Sequence, residues 1–157
     1  MFLIGDKVVH PMHGAGIIER ITHERLDSRV SSYYVFRMPA GGLVLKIPTD
    51  ACCQIGLRCL STAEHICQVL SAIPTLEVQM SSNWNQRYRE NMLRLKSGNL
   101  LEVSKVVKCL MLRDCRRGLS TGERKMLHSA KQILISEISM AQDIPYEEAE
   151  LRINKAL

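Results

Sequence analysis

The 157 residues predict an α+β protein, with a small, strongly bent antiparallel sheet or barrel at the N-terminus followed by an all-α helical domain. Two observations carry this. From Gly5 to about Leu60 short apolar runs alternate between turn-forming residues, and after Leu60 the apolar period lengthens to about 3.6. The domains are therefore expected at residues 1–60 and 61–157. Aromatic residues make up only 4% of the chain, so Leu, Ile, Val and eight Met must fill the interior, which suits helices packed on helices.

Four strands are expected, in Lys7-Val8-Val9-His10, Ala15 to Ile21, Ser32 to Arg37 and Leu43 to Ile47. Pro11-Met12-His13-Gly14, Asp27-Ser28 and Pro39-Ala40-Gly41-Gly42 supply the fixed or positive φ that turns between them need. Pro48 ends the fourth strand because it has no N–H to donate. Ser61 with Glu64 has the spacing of a capping box and opens a first helix through Leu70, stopped by Ile73-Pro74. The sequence leaves open whether that helix belongs with the strands or the helices. Residues 74–81 read as a linker. Ser82 or Asn83 caps a second helix with Trp84, Tyr88, Met92 and Leu95 on one face, stopped at Gly98. Asn99 with Glu102 opens a third, closed by Gly118, and Ser120 with Glu123 a fourth. Pro145 starts a fifth.

Charge is concentrated. The net of +5 conceals twelve Lys or Arg against four acids from Trp84 to Lys131, and two against five from residue 132 onward. A positive stripe with a cluster at Arg116-Arg117 is the footprint of a surface that tracks a polyanion, although such residues also serve simply as solvated helix faces. Trp84, the only tryptophan, opens a helix beside these cations. It reads either as a core residue or as a flat apolar group offered to a DNA base step.

The chemistry of other classes is missing from the sequence. His10 and His13 lie in a turn without further ligands. Cys52, Cys53, Cys59, Cys67, Cys109 and Cys115 lack C-x-x-C spacing and read as reduced thiols. No phosphate-binding glycine fingerprint, nucleophile elbow or zinc-hydrolase motif occurs, so no enzyme, cofactor or metal is expected. Nothing resembles a signal peptide or a membrane span, which points to the cytoplasm.

Gly5-Asp6-Lys7-Val8-Val9-His10-Pro11-Met12-His13-Gly14-Ala15-Gly16, the strand from Leu43 to Pro48, Asn83-Trp84-Asn85-Gln86-Arg87-Tyr88-Arg89 and the segment Arg117 to Leu127 together resemble the CarD/CdnL family of bacterial transcription factors. The opening alone is also similar to the polymerase-interacting module of transcription-repair coupling factors. The resemblance implies a Tudor-like barrel that docks on the β subunit of RNA polymerase and a helical domain that contacts promoter DNA just upstream of the −10 region. It further implies that Trp84 wedges at the minor-groove edge of the opening bubble and stabilises the open complex. Arg87, Arg89, Arg116, Arg117, Arg124 and Lys125 map to phosphate contacts, with Gln86 at a position that is basic in some relatives. Polymerase contacts map to Lys46, Ile47 and Pro48, and a further one falls near Glu24 or Arg25, with Arg25 preferred. Two rival readings are an adaptor with no DNA role and a thiol or metal sensor built on Cys52, Cys53 and Cys59.

Overall fold

The structure, a computed structural model, describes residues 1–157. Its elements are β1 (Lys7–His10), β2 (Gly14–Leu26), β3 (Arg29–Arg37), β4 (Val44–Pro48), α1 (Cys52–Ile55), β5 (Arg58–Cys59), α2 (Ala63–Ala72), a 3-10 turn (Ile73–Thr75), α3 (Trp84–Lys96), α4 (Leu100–Arg117), α5 (Thr121–Gln142) and α6 (Tyr146–Ala156). The expected α+β division is present, a five-stranded sheet, with the short α1 between its last two strands, followed by helices. The sequence reading had four strands, and the fifth is the two-residue β5, too short to leave a periodic signal. It exists because β1 pairs with it through Val8 and Val9.

All strand pairs are antiparallel, in the order β4-β3-β2-β1-β5, which leaves β4 and β5 as edges. The sheet bends through two devices in β2. Register shifts between Ile18 and Arg20, and such a bulge kinks its strand and strengthens local twist. At Gly16 a Cβ would stand 2.5 Å from the Phe36 ring, so only glycine lets β2 and β3 approach so closely there. The concave face buries Val8, Ile18, Tyr34, Phe36, Met38, Ile47, Cys52 and Leu57.

A second core of 18 residues runs from Ile66 to Ile153 and is built by α2 to α6. It settles the place of α2, whose Ile66 and Val69 lie in the helical core. The side-chain cap of α2 is Thr62, accepting from the His65 N–H at 3.1 Å, and not Ser61 as expected. Ser61 is occupied otherwise: its N–H donates to Glu137. Asn83 and Asn99 cap α3 and α4, and Ser120 caps α5 by accepting from the Glu123 N–H. The reciprocal bonds of a capping box are absent because Glu123 turns inward and Glu102 pairs with Lys105 and Arg94. Leu76 and Met80 of the linker pack on the helical core.

Sheet and helices share a tight contact centred on α5. The Ala15 N–H donates to Ser136 Oγ at 3.0 Å, and a Cβ at Gly14 would lie 2.3 Å from that oxygen. Beside it, Arg58 donates two bonds of 2.7 and 2.6 Å to Glu137, whose carboxylate also accepts the Ser61 N–H at 3.1 Å. Glu137 is fully buried, so three donors from the chain leaving the sheet replace its water.

Candidate nucleic-acid and polymerase interface

Trp84 stands at the first position of α3 and is 42% exposed, so it is not a core residue. Its ring stacks on Tyr88 one turn along, with centroids 5.0 Å apart and planes 18° from parallel. Its Nε1–H donates to Ser120 Oγ at 3.0 Å. That hydroxyl also caps α5, so one oxygen ties the indole to the start of a second helix. Gly122 lies beneath, where an added Cβ would reach 3.5 Å from the ring. The indole is thus held on one face and at its polar edge while remaining open to a partner.

The cations divide into two groups. Arg87 is 1% exposed: its Nε–H donates to Glu123 at 2.6 Å and its terminal nitrogen to the carbonyls of Ser81 and Ser82. Expected at a phosphate, Arg87 is instead an internal brace between α3 and α5. Helical spacing alone placed it beside Trp84, but it could not reveal that α5 covers that side. Arg94 and Lys105 pair with Glu102, and Lys108 donates to the carbonyls of Ile73, Pro74 and Leu76. The outer group is Arg89, Arg116, Arg117, Arg124 and Lys125, all exposed and none within 4.0 Å of a carboxylate. In the chain Arg116 and Arg117 precede Ser120, whose hydroxyl fixes the indole, and Arg124 and Lys125 follow it; the Arg124 Nε–H donates to the Leu119 carbonyl at 3.2 Å.

On the sheet, β4 is an edge strand, and Val44 and Lys46 point outward while Ile47 is 3% exposed inside the core. Ile47 therefore supports the strand from within and does not present a side chain to a partner. Lys46 is exposed and forms an ion pair with Glu24 of β2. Pro48 is half-buried at the end of the ladder, opposite Tyr33. Arg25 is exposed near the tip of the β2–β3 hairpin, where Leu26 and Val30 are also open at 65% and 66%. Of the two candidates on β2, Glu24 is the one joined to Lys46, a link across 22 residues that no local pattern announces.

The rings of His10 and His13 meet at a tilt, with centroids 4.6 Å apart and planes 50° from parallel, and His10 Nδ1 accepts the Met12 N–H. Burial and the neighbouring His13 push the His10 pKa down to about 4. No three His, Cys, Asp or Glu side chains come together as a metal site, and all six cysteines are free. Burial raises the Cys109 thiol to about 11, with the nearby Arg94 and Lys108 charges opposing the shift. No helix is long and apolar enough to cross a membrane.

Two family models match in tandem, "CarD-like/TRCF RID domain" over residues 2–58 and "CarD, C-terminal domain" over residues 68–154. The chain belongs to the CarD family. This CarD-family chain is also 34% identical over 144 residues to a Bacillus subtilis (strain 168) protein named "Putative transcription factor YdeB", covering 92% of the chain and 94% of that relative. The sheet coincides with the first match, and α3 to α5, with Trp84 and the outer cations, lie inside the second.

Proposed function

We propose that this CarD-family chain is a non-enzymatic transcription regulator that grips RNA polymerase with its sheet and promoter DNA with its helices. The open edge of β4, with Lys46 and Pro48, and the hairpin carrying Arg25 serve as the polymerase-binding side, a partner strand of the β subunit adding to the edge. Backbone hydrogen bonds supply affinity in such strand addition, and alternate side chains supply specificity. Docked in this way, the helical half is held at high effective concentration beside the DNA upstream of the −10 region, so weak contacts suffice. Arg89, Arg116, Arg117, Arg124 and Lys125 neutralise phosphates.

Trp84 biases strand opening. An aromatic face stabilises an unstacked base step more than a paired one, and only such a difference in affinity moves an equilibrium. Stacking of about 1–3 kcal/mol would shift opening roughly 5–150-fold. The observation that carries this reading is the pinned, 42% exposed indole, bonded to Ser120 in a segment whose exposed cations have no carboxylate within 4.0 Å.

The test is the lifetime of open complexes on a slowly opening promoter. Trp84→Ala is expected to shorten it at least 5-fold while polymerase is still retained by the chain. Unchanged lifetimes would favour an adaptor with no DNA role, as would DNA affinity and salt slope that survive neutralising Arg89, Arg117 and Lys125 together.

A further inference from the structure

Arg113, Arg116 and Arg117 stand at spacings of three and four on α4, hence on one face. Like charges so placed disfavour a helix, and Asp114, the one acid between them, forms no ion pair with any of the three. They line a cleft of about 400 Å³ together with Val78, Met80, Ser81, Ser82, Cys109 and Leu112, a size in the range of small-molecule sites. Its lining is part apolar, through Val78, Met80 and Leu112, and part cationic.

Two details make this more than a crowded surface. Arg113 Nε is buried without a hydrogen bond. The one carboxylate within 4.0 Å of it, that of Glu123, is 3.8 Å away and already bonded to Arg87 at 2.6 Å, so one carboxylate faces two guanidinium groups. Arg116 and Arg117 have no carboxylate within 4.0 Å, and the Cys109 thiol, raised by burial, stays neutral and brings no competing negative charge. The cleft is therefore short of anions.

From this we infer that the cleft binds a phosphate ester of nucleotide size, the phosphate held by Arg113, Arg116 and Arg117 and the apolar part lying on Val78, Met80 and Leu112. Guanidinium forks match phosphate oxygens in pairs, and arginine loses little hydration on doing so. The ligand chemistry has two sources, a nucleotide within an unpaired DNA strand or a free nucleotide. The first deepens the DNA reading above, whereas the second is independent of it.

Amide chemical shifts of the full chain, titrated with adenosine 5′-monophosphate, inorganic phosphate and a short single-stranded oligonucleotide, test the site. Residues 78–82 and 109–117 should respond to the nucleotide at least tenfold more tightly than to inorganic phosphate, because phosphate leaves Val78, Met80 and Leu112 uncovered. Arg116→Glu with Arg117→Glu, which spares the buried Arg113, should abolish the response, and Trp84→Ala should leave nucleotide binding intact. A response to the oligonucleotide alone assigns the cleft to a DNA strand, and a response to the nucleotide alone assigns it to a free ligand, with the DNA reading decided separately by open-complex lifetime. Silence of these residues toward both, or binding unaffected by the double variant, overturns the proposal.

Discussion

Trp84 and Arg87 are three residues apart and have opposite fates, one presented outward and the other sealed beneath. Because Trp84 loses only a stacked pair and one hydrogen bond on truncation, Trp84→Ala should cost about 1–2 kcal/mol of stability. A buried aromatic would cost about 3–5 kcal/mol. A thermal melt therefore separates a folded, wedge-deficient chain from a collapsed one. Arg87→Ala is expected to be the harsher change, because Glu123 would stay buried with Arg113 only at 3.8 Å, and breaking a buried pair costs about 3–5 kcal/mol. Replacing both partners, as in Arg87→Met with Glu123→Leu, should cost less than the sum of the single changes in chemical denaturation. A fully additive result would show that the pair is not coupled.

At the level of elements, capping decides where helices begin. Thr62→Ala should lower stability by about 1 kcal/mol by removing the oxygen that accepts from His65, whereas Ser61→Ala should be nearly silent, since Ser61 contributes its backbone N–H. Equal melting temperatures for the two variants would contradict the assignment. Caps at Asn99 and Ser120 are legible in the sequence, and that of α3 to within Ser82 or Asn83, because a cap is set by residues within one turn of each other. The one-residue offset at Thr62 was not, since Ser61 and Thr62 offer the same chemistry and tertiary contact with Glu137 chooses between them. The outward position of Trp84 and the burial of Ile47, Arg87 and Glu137 belong to the same class: each depends on an element distant in sequence. Arg58 and Glu137 are 79 residues apart, and the only local hint was a carboxylate inside the apolar run from Ile133 to Ile138.

The whole molecule depends on the seam between sheet and α5. At Gly14, φ is +112°, and a Cβ would meet Ser136 Oγ at 2.3 Å, so Gly14→Ala is strained both in backbone and in space. It should lower the melting temperature and expose the seam to hydrogen exchange at Ala15 and Ser61 more than at the helical core; uniform exchange would mean the seam is no weak point. Opposite Gly14 across the β1–β2 ladder, His10 makes stability depend on pH. Its pKa, lowered to about 4 from the ordinary 6.5 by burial and then by His13, means that the unfolded chain takes up a proton that the folded chain resists. Between those two values the unfolded state binds more protons, and stability therefore falls as pH falls. The contribution is complete above pH 6.5, is lost progressively on descending to about 4, and changes no further below it. His10→Asn, whose side-chain oxygen can still accept the Met12 N–H, should flatten this part of the profile, so the gap in melting temperature between wild type and variant should shift in the variant's favour from pH 7 to pH 4.5. A gap that stays constant across that interval would assign the acid sensitivity to other groups.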